Sequence, residues 1–423
     1  MPIDDTIGFY LSGTAYLRTM SDDSSSGPLE GLNVVDFSGM ISGGFATMTL
    51  ADFGADVVKV EHPEYTDPLR DWTPMENGTS LWWKSIGRNK QCITLDLKSD
   101  EGHDMALDLV EEADVVFENF RPGKMEEWDL AYEDLKAVNE DVIFVRISGY
   151  GQTGPMSHKP GFGTVAEGMS GWAHVNGFAD REPLLPPISL ADLVAALYAV
   201  QSTMFAVFER DVGANASGEG QVVDVSLYEP LFRLFVGDVE GYDKKGRVPQ
   251  RTGNKHPNSS PRGVYETEDG YIALSATAQA IFERVMHAIG RPELIEDERF
   301  RTNEDRVDNA EAIDEIIEEW TRRHPTEEVI EVMDDKEAIV GPINDIEDVF
   351  EDEQFQARNN IVEVDDEDVG SLKVPNTVPK FSRTPGDVSH AGPRHGEHNE
   401  KVYRERLGLS EAEIEELREK EVI

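Results

Sequence analysis

Residues 176–183, NGFADREP, carry one carboxylate, Asp180, at the tip of a short loop, and Pro183, Pro186 and Pro187 stiffen the chain that follows. A carboxylate on a braced loop can attack an activated carbonyl carbon or take a proton, because loops on rigid scaffolds hold functional groups in place. An Asp in a turn also needs no function, since its side chain suits turns. Asp192 stands near the start of the apolar run ADLVAALYAVQSTMFAVFER (191–210) and reads as a helix-start residue. The turn SGMISGG (38–44) offers free N–H groups to a phosphate or a pantetheine amide. It lacks G-x-G-x-x-G, which disfavours a dinucleotide-dependent dehydrogenase. G-x-x-x-x-G-K-[ST] and G-x-S-x-G are missing, which disfavours an NTPase and an esterase. HGEH (395–398) is the one histidine cluster, with no third ligand nearby, so no metal site is expected.

Around these residues the chain reads as alternating strands and helices. Strands are expected at 33–37, 57–60, 93–97, 114–117, 142–147 and 222–225, with helices at 45–55, 102–112, 192–210 and 227–236. A strand–loop–helix–strand opening implies a parallel sheet. The fold class is therefore α/β: a large domain with a Rossmann-like, doubly wound parallel sheet, and a smaller α+β domain. Residues 1–27 are expected to be a disordered extension, with Met20 as an alternative start. Residues 28–225 form the first part of the large domain, and 226–365 the small domain with its connections. Residues 366–423 form a return linker and closing helix, with Ser410 and Glu413 as a capping box.

Composition bounds the setting. Asp and Glu number 84 against 39 Lys and Arg, a formal charge of −45 spread over the chain. Such a field repels nucleic acid and anionic membranes. At 1 M salt the Debye length is about 3 Å, so the self-repulsion is screened. The charge is read as that of an extreme halophile's cytoplasmic protein. One cysteine, Cys92, permits no internal disulfide. No uninterrupted apolar run reaches membrane-spanning length, and no signal peptide is apparent.

The order PLEGLNVVDFSG, LADFGADVVKVEHP, NKQCITLDLK, ADVVFENFRPG, ISGYGQTGP and NGFADREP resembles the class III CoA-transferases, the family of formyl-CoA transferase and carnitine CoA-transferase. The resemblance runs from about Pro28 to the C-terminus and includes RTGNKHPNSSP, DGYIALS and LGLSEAEIEEL. It implies an interlocked homodimer. CoA thioesters are then substrates, with no permanently bound cofactor. It also implies that Asp180, matching the acid of a T-G-x-x-D-G-x-P loop, is the nucleophile. Such a carboxylate passes CoA between acids through an anhydride and an aspartyl thioester. The anhydride must be shielded from water, by a lid expected at Gly253, Asn254 and the turn to Gly263.

The resemblance further implies a CoA site at Ser42, His62, Leu95, Lys98, Asn119, Phe120 and Arg121, and a substrate end at Arg70, Trp72, Trp82, Tyr150 and His256. Arg70 or His256 would meet a second carboxylate. His62 and Glu127 stand where relatives have Arg, and Ile41 replaces a Gln. Resemblance and habitat together point to succinyl-CoA as donor and mesaconate as acceptor, within a methylaspartate route. Itaconate, citramalate or an oxalate-sized acid are alternatives, as is intramolecular C1–C4 transfer on mesaconyl-CoA. The related 2-methylacyl-CoA racemases need a His in G-H-D, which here reads Gly161-Phe162-Gly163. An isomerase is therefore disfavoured. A non-catalytic CoA-binding protein is disfavoured because Asp180 is present.

Overall fold

The computed structural model describes residues 27–213 and 216–423; most of the expected N-terminal extension, with Met20, lies outside the described residues. Short, β-branched-rich runs make six strands: β1 (Asn33–Asp36), β2 (Asp56–Glu61), β3 (Gln91–Thr94), β4 (Val115–Glu118), β5 (Ile143–Ser148) and β6 (Val222–Ser226). They form one sheet in the order β3-β2-β1-β4-β5-β6, and every pairing is parallel. Parallel strands are covered on both faces, which is why VVFE and IFVRIS are buried throughout. Alternate residues feed two cores. Val35, Val58, Val116 and Phe144 pack on one side, and Val34, Val57, Val115 and Val145 on the other.

The first core is completed by α2 (Asp100–Glu111) and by residues Val402, Tyr403, Ile414 and Ile423 near the C-terminus. Those last residues sit on and beside the helices Asn399–Glu405 and Glu411–Glu419; the second is capped by Ser410 and Glu413. The second core holds α1 (Met40–Asp52), and packed beside it lie α3 (Gly163–Met169) and α4 (Leu190–Asp211). By length and composition α4 is apolar enough to cross a bilayer. Its small residues Ala191, Ala195, Ala199, Thr203 and Ala206 instead form a buried stripe that lets it lie close to α1.

Two local expectations change. Helix α1 begins at Met40, not Phe45, so most of the glycine-rich turn is helical. Its glycines allow close packing: a Cβ on Gly43 would lie 2.1 Å from the Ser38 hydroxyl, and one on Gly44 would lie 2.8 Å from Ile86. The helix expected at 227–236 is confined to Glu229–Phe232. Phe232, Leu234 and Val236 are exposed and give it no core to pack on within the chain.

The antiparallel strands β7 (Arg262–Glu266), β8 (Tyr271–Ser275) and β9 (Val340–Pro342), in the order β9-β8-β7, make the small sheet. Helices such as Gln279–Ala288 and Ala310–Thr321 pack on it through Phe282, Ile313 and Ile317. A hairpin, Ile361–Asp366 with Gly370–Pro375, follows. Buried Lys84 ties it down through Asp366 (2.7 Å) and Asp368 (3.0 Å).

Candidate active site

In this strand order the connections diverge at β1 and β4, and a crevice opens where their carboxyl ends separate. Asn119 spans it. Its Oδ1 accepts from the Gly39 N–H (2.8 Å), and its Nδ2 donates to the Gly39 carbonyl (2.6 Å) and the Ser42 hydroxyl (3.3 Å). Glu118 holds the next residue by accepting from the Phe120 N–H (2.7 Å). Burial pushes the Glu118 carboxyl up to about 7, against the opposing pull of Arg146.

Beside this clamp is a cleft of about 200 Å³. His62, Leu95, Lys98 and Phe120 line it together, and Tyr65 and Trp128 complete its aromatic walls. Phe120 meets Trp128 edge-on at 5.0 Å, and His62 meets Tyr65 at 4.8 Å. Sequence reasoning missed Tyr65 and Trp128. The available signal was an aromatic within a few residues of each chosen contact. Ser42 is buried under Asn119, and Arg121 is exposed on the following turn; neither lines the cleft.

A buried charge network supports the floor. Ser38 donates to Asp36 from its N–H (3.0 Å) and its hydroxyl (2.5 Å), while Lys59 donates to the Ser38 carbonyl. Burial alone would raise the Asp36 carboxyl; Lys90, Lys59 and two hydroxyls outweigh it and hold it below its usual range. Met40, at φ 61°, is held in that strained conformation by Asp67, whose carboxylate accepts its N–H at 3.1 Å. The N–H groups of Gly39 and Met40 are thus already engaged and are not free for a phosphate. Arg70 is engaged as well. It pairs with Glu61 (2.9 and 2.6 Å), donates to the Pro393 carbonyl (2.9 Å) and lies 3.7 Å over Trp83. It is therefore not the free cation expected for a second carboxylate.

The two aspartates differ sharply. Asp180 is exposed and makes no hydrogen bond or ion pair among the described residues. Its loop is clipped to the expected lid segment: the Gly253 N–H donates to the Gly177 carbonyl (2.8 Å), and Arg251 to the Phe178 and His174 carbonyls (3.2 and 2.9 Å). Asp192, in the first turn of α4, is largely enclosed. Burial, then the charge of Glu167, pushes its carboxyl up to about 6. A Cβ on Gly163 would lie 2.2 Å from Asp192 Oδ2, so this glycine leaves the space the carboxylate fills.

The neighbouring Leu193, like Trp72 and Trp82, packs against the buried cluster that includes Ile41 and Trp83, and the Trp72 and Trp82 indoles meet edge-on at 5.5 Å. Tyr150 lies against Gly161, 3.2 Å from a Cβ placed there. His256 belongs to an exposed turn closed by Ser259; its Nδ1 accepts from the Asn258 N–H at 3.3 Å. The histidines of HGEH diverge. His395 Nε2 meets the His62 carbonyl (3.0 Å), and His398 Nδ1 accepts from the Cys92 N–H (3.1 Å).

A family model described as CoA-transferase family III matches residues 29–399. A succinyl-CoA–D-citramalate CoA-transferase of Chloroflexus aurantiacus is 39% identical, over 96% of this chain and 100% of its own. The β subunit of a succinyl-CoA–L-malate CoA-transferase from the same organism is 37% identical, with 96% and 100% covered. The crystal structure of a CAIB/BAIF family protein from Brucella suis aligns with a TM-score of 0.80 at 33% identity, covering 90% of this chain and 100% of that one.

Proposed function

Because the chain belongs to CoA-transferase family III and is an enzyme that transfers CoA, we propose that it carries CoA from succinyl-CoA to mesaconate, with Asp192 as nucleophile. The enclosed setting of Asp192 carries this reading. Anhydride chemistry needs an ionised carboxylate of raised basicity in a place that excludes water. Asp180, the acid chosen from the sequence, is solvent-exposed in the single chain and lacks that shelter.

The Asp192 carboxylate attacks the succinyl thioester carbonyl and expels CoA thiolate, leaving a succinyl–aspartyl anhydride. The thiolate attacks the aspartyl carbonyl, releases succinate and leaves an aspartyl-CoA thioester. An acceptor carboxylate displaces the thiolate, forming a second anhydride. The thiolate then takes the acceptor's acyl group and frees Asp192. The aromatic cleft at His62, Leu95, Lys98 and Phe120 is the proposed nucleotide end of the CoA site.

The names of the two Chloroflexus relatives support a succinyl donor and a dicarboxylate acceptor. The choice of mesaconate rests on the resemblance and the inferred habitat, and the cluster on which Leu193 packs supports it. Ile41, Trp72, Trp82 and Leu193 offer mainly apolar surface, which suits an alkene better than the hydroxyl of citramalate or malate. The exposed Phe205, Phe208 and Val236, the last 82% exposed, support a second copy of the chain as partner. A cytoplasm of high salt is the proposed setting.

The test is a donor–acceptor matrix in about 3 M KCl, where surface charge is screened. Succinyl-CoA paired with mesaconate should give the highest kcat/KM. A preference for citramalate or malate would reject the mesaconate assignment. Isomerisation of mesaconyl-CoA without free acid would indicate the intramolecular route.

A further inference from the structure

Helix α4 starts without a side-chain cap of its own, since Ser189 makes no capping hydrogen bond. The acceptor comes from α3. Glu167, 3% exposed, receives the Ala191 N–H at 3.3 Å, one residue before Asp192. Gly163 and Glu167 stand four residues apart on α3, hence on one face. That face presents to Asp192 both the gap its carboxylate fills and a second carboxylate.

We propose that Glu167 is a positioning residue for Asp192: it anchors the start of α4 and sets a like charge against the nucleophile. This rests on the reading of Asp192 given above. The like charge keeps the Asp192 carboxylate basic, and hence nucleophilic, in a first helical turn that would otherwise lower its basicity. Acylation removes the Asp192 charge and relieves the repulsion, so the pair favours the covalent intermediate over the free carboxylate. Burial together with the Glu167 charge accounts for the raised carboxyl. Among the described residues, no cation acts on the Asp192 carboxyl. The start of α1 contributes Ile41 and no ionisable group before Asp52. The tryptophan wall is uncharged, Arg70 is bound to Glu61, and the loop after β5 brings the Tyr150 phenol.

The test is the pH profile of kcat/KM for succinyl-CoA, which reports the free enzyme's essential groups. The pair titrates jointly, and the wild-type acid limb is expected near 6. Glu167→Gln keeps an oxygen for the Ala191 N–H and removes the charge. Its limb should move down by about one pH unit, with a lower plateau. Glu167→Asp keeps the charge and shortens the reach. It should hold the limb near 6 while lowering kcat. An unmoved limb in Glu167→Gln would overturn the proposal, as would a Glu167→Asp limb that moves as far as the Gln variant's. Asp192→Asn separates the two claims. If it still turns over, the nucleophile reading fails; if it is inactive and the Gln limb stays put, only the role of Glu167 fails.

Discussion

Adding one methyl group at Gly163 is the smallest change that reaches the proposed nucleophile. Gly163 opens a helix and has no positive φ, so Ala suits its backbone. Its Cβ would press on Asp192 Oδ2. Gly163→Ala should therefore lower kcat by about a hundredfold, as displacement of a reacting group does, with little change in melting temperature. Activity within threefold of wild type would place the chemistry elsewhere. Lys98 gives a softer prediction. It is exposed at the cleft, 5.9 Å from the Trp128 ring, so Lys98→Ala should raise KM for succinyl-CoA by roughly threefold to tenfold without changing kcat, and less so as KCl rises. Steady-state kinetics at two salt concentrations test this. Much of the cleft was legible in the sequence, because ENFRPG and NKQCITLDLK are short local strings. Asp192 was harder to see. An acid inside an apolar helix looks like a cap, and what distinguishes it, Gly163 and Glu167 opposite, comes from another helix. Asp180 is conspicuous in the sequence because its loop is Pro-braced, and the sequence alone says nothing of its burial.

Among the elements, the β1 and β4 loops depend on one amide. Asn119→Ala would leave the Gly39 N–H and carbonyl without their partner, costing about 1–3 kcal/mol for the stranded groups. Denaturant unfolding should read that loss, and KM for the CoA thioester should rise with it. An unchanged midpoint and KM would mean that the clamp is not needed to shape the crevice. The parallel sheet was readable because strands buried on both faces are nearly continuous apolar runs, and its six members fall within a few residues of expectation. The start of α1 was not readable. Gly43 and Gly44 look like turn residues, whereas their use is to bring the helix against Ser38 and Ile86. The pairing of Arg70 is hidden from the sequence for a similar reason. Its partner Glu61 lies on β2, nine residues earlier, and only the fold brings them together.

Across the whole molecule, the charge of −45 on a folded chain requires counterions. The melting temperature should climb steeply between dilute buffer and molar KCl; a flat response would contradict the reading of the acidic surface as a salt adaptation. Size determination by light scattering in the same salt should give twice the chain mass, and a monomer would remove the partner proposed for the apolar surface around α4. Trapping shows whether Asp192 is acylated during turnover. The enzyme would be incubated with succinyl-CoA alone, quenched with hydroxylamine, digested and read by peptide mass spectrometry. A hydroxamate on Asp192 and an unmodified Asp180 are expected. A hydroxamate on Asp180, or none on either residue while transfer proceeds, would contradict acylation of Asp192.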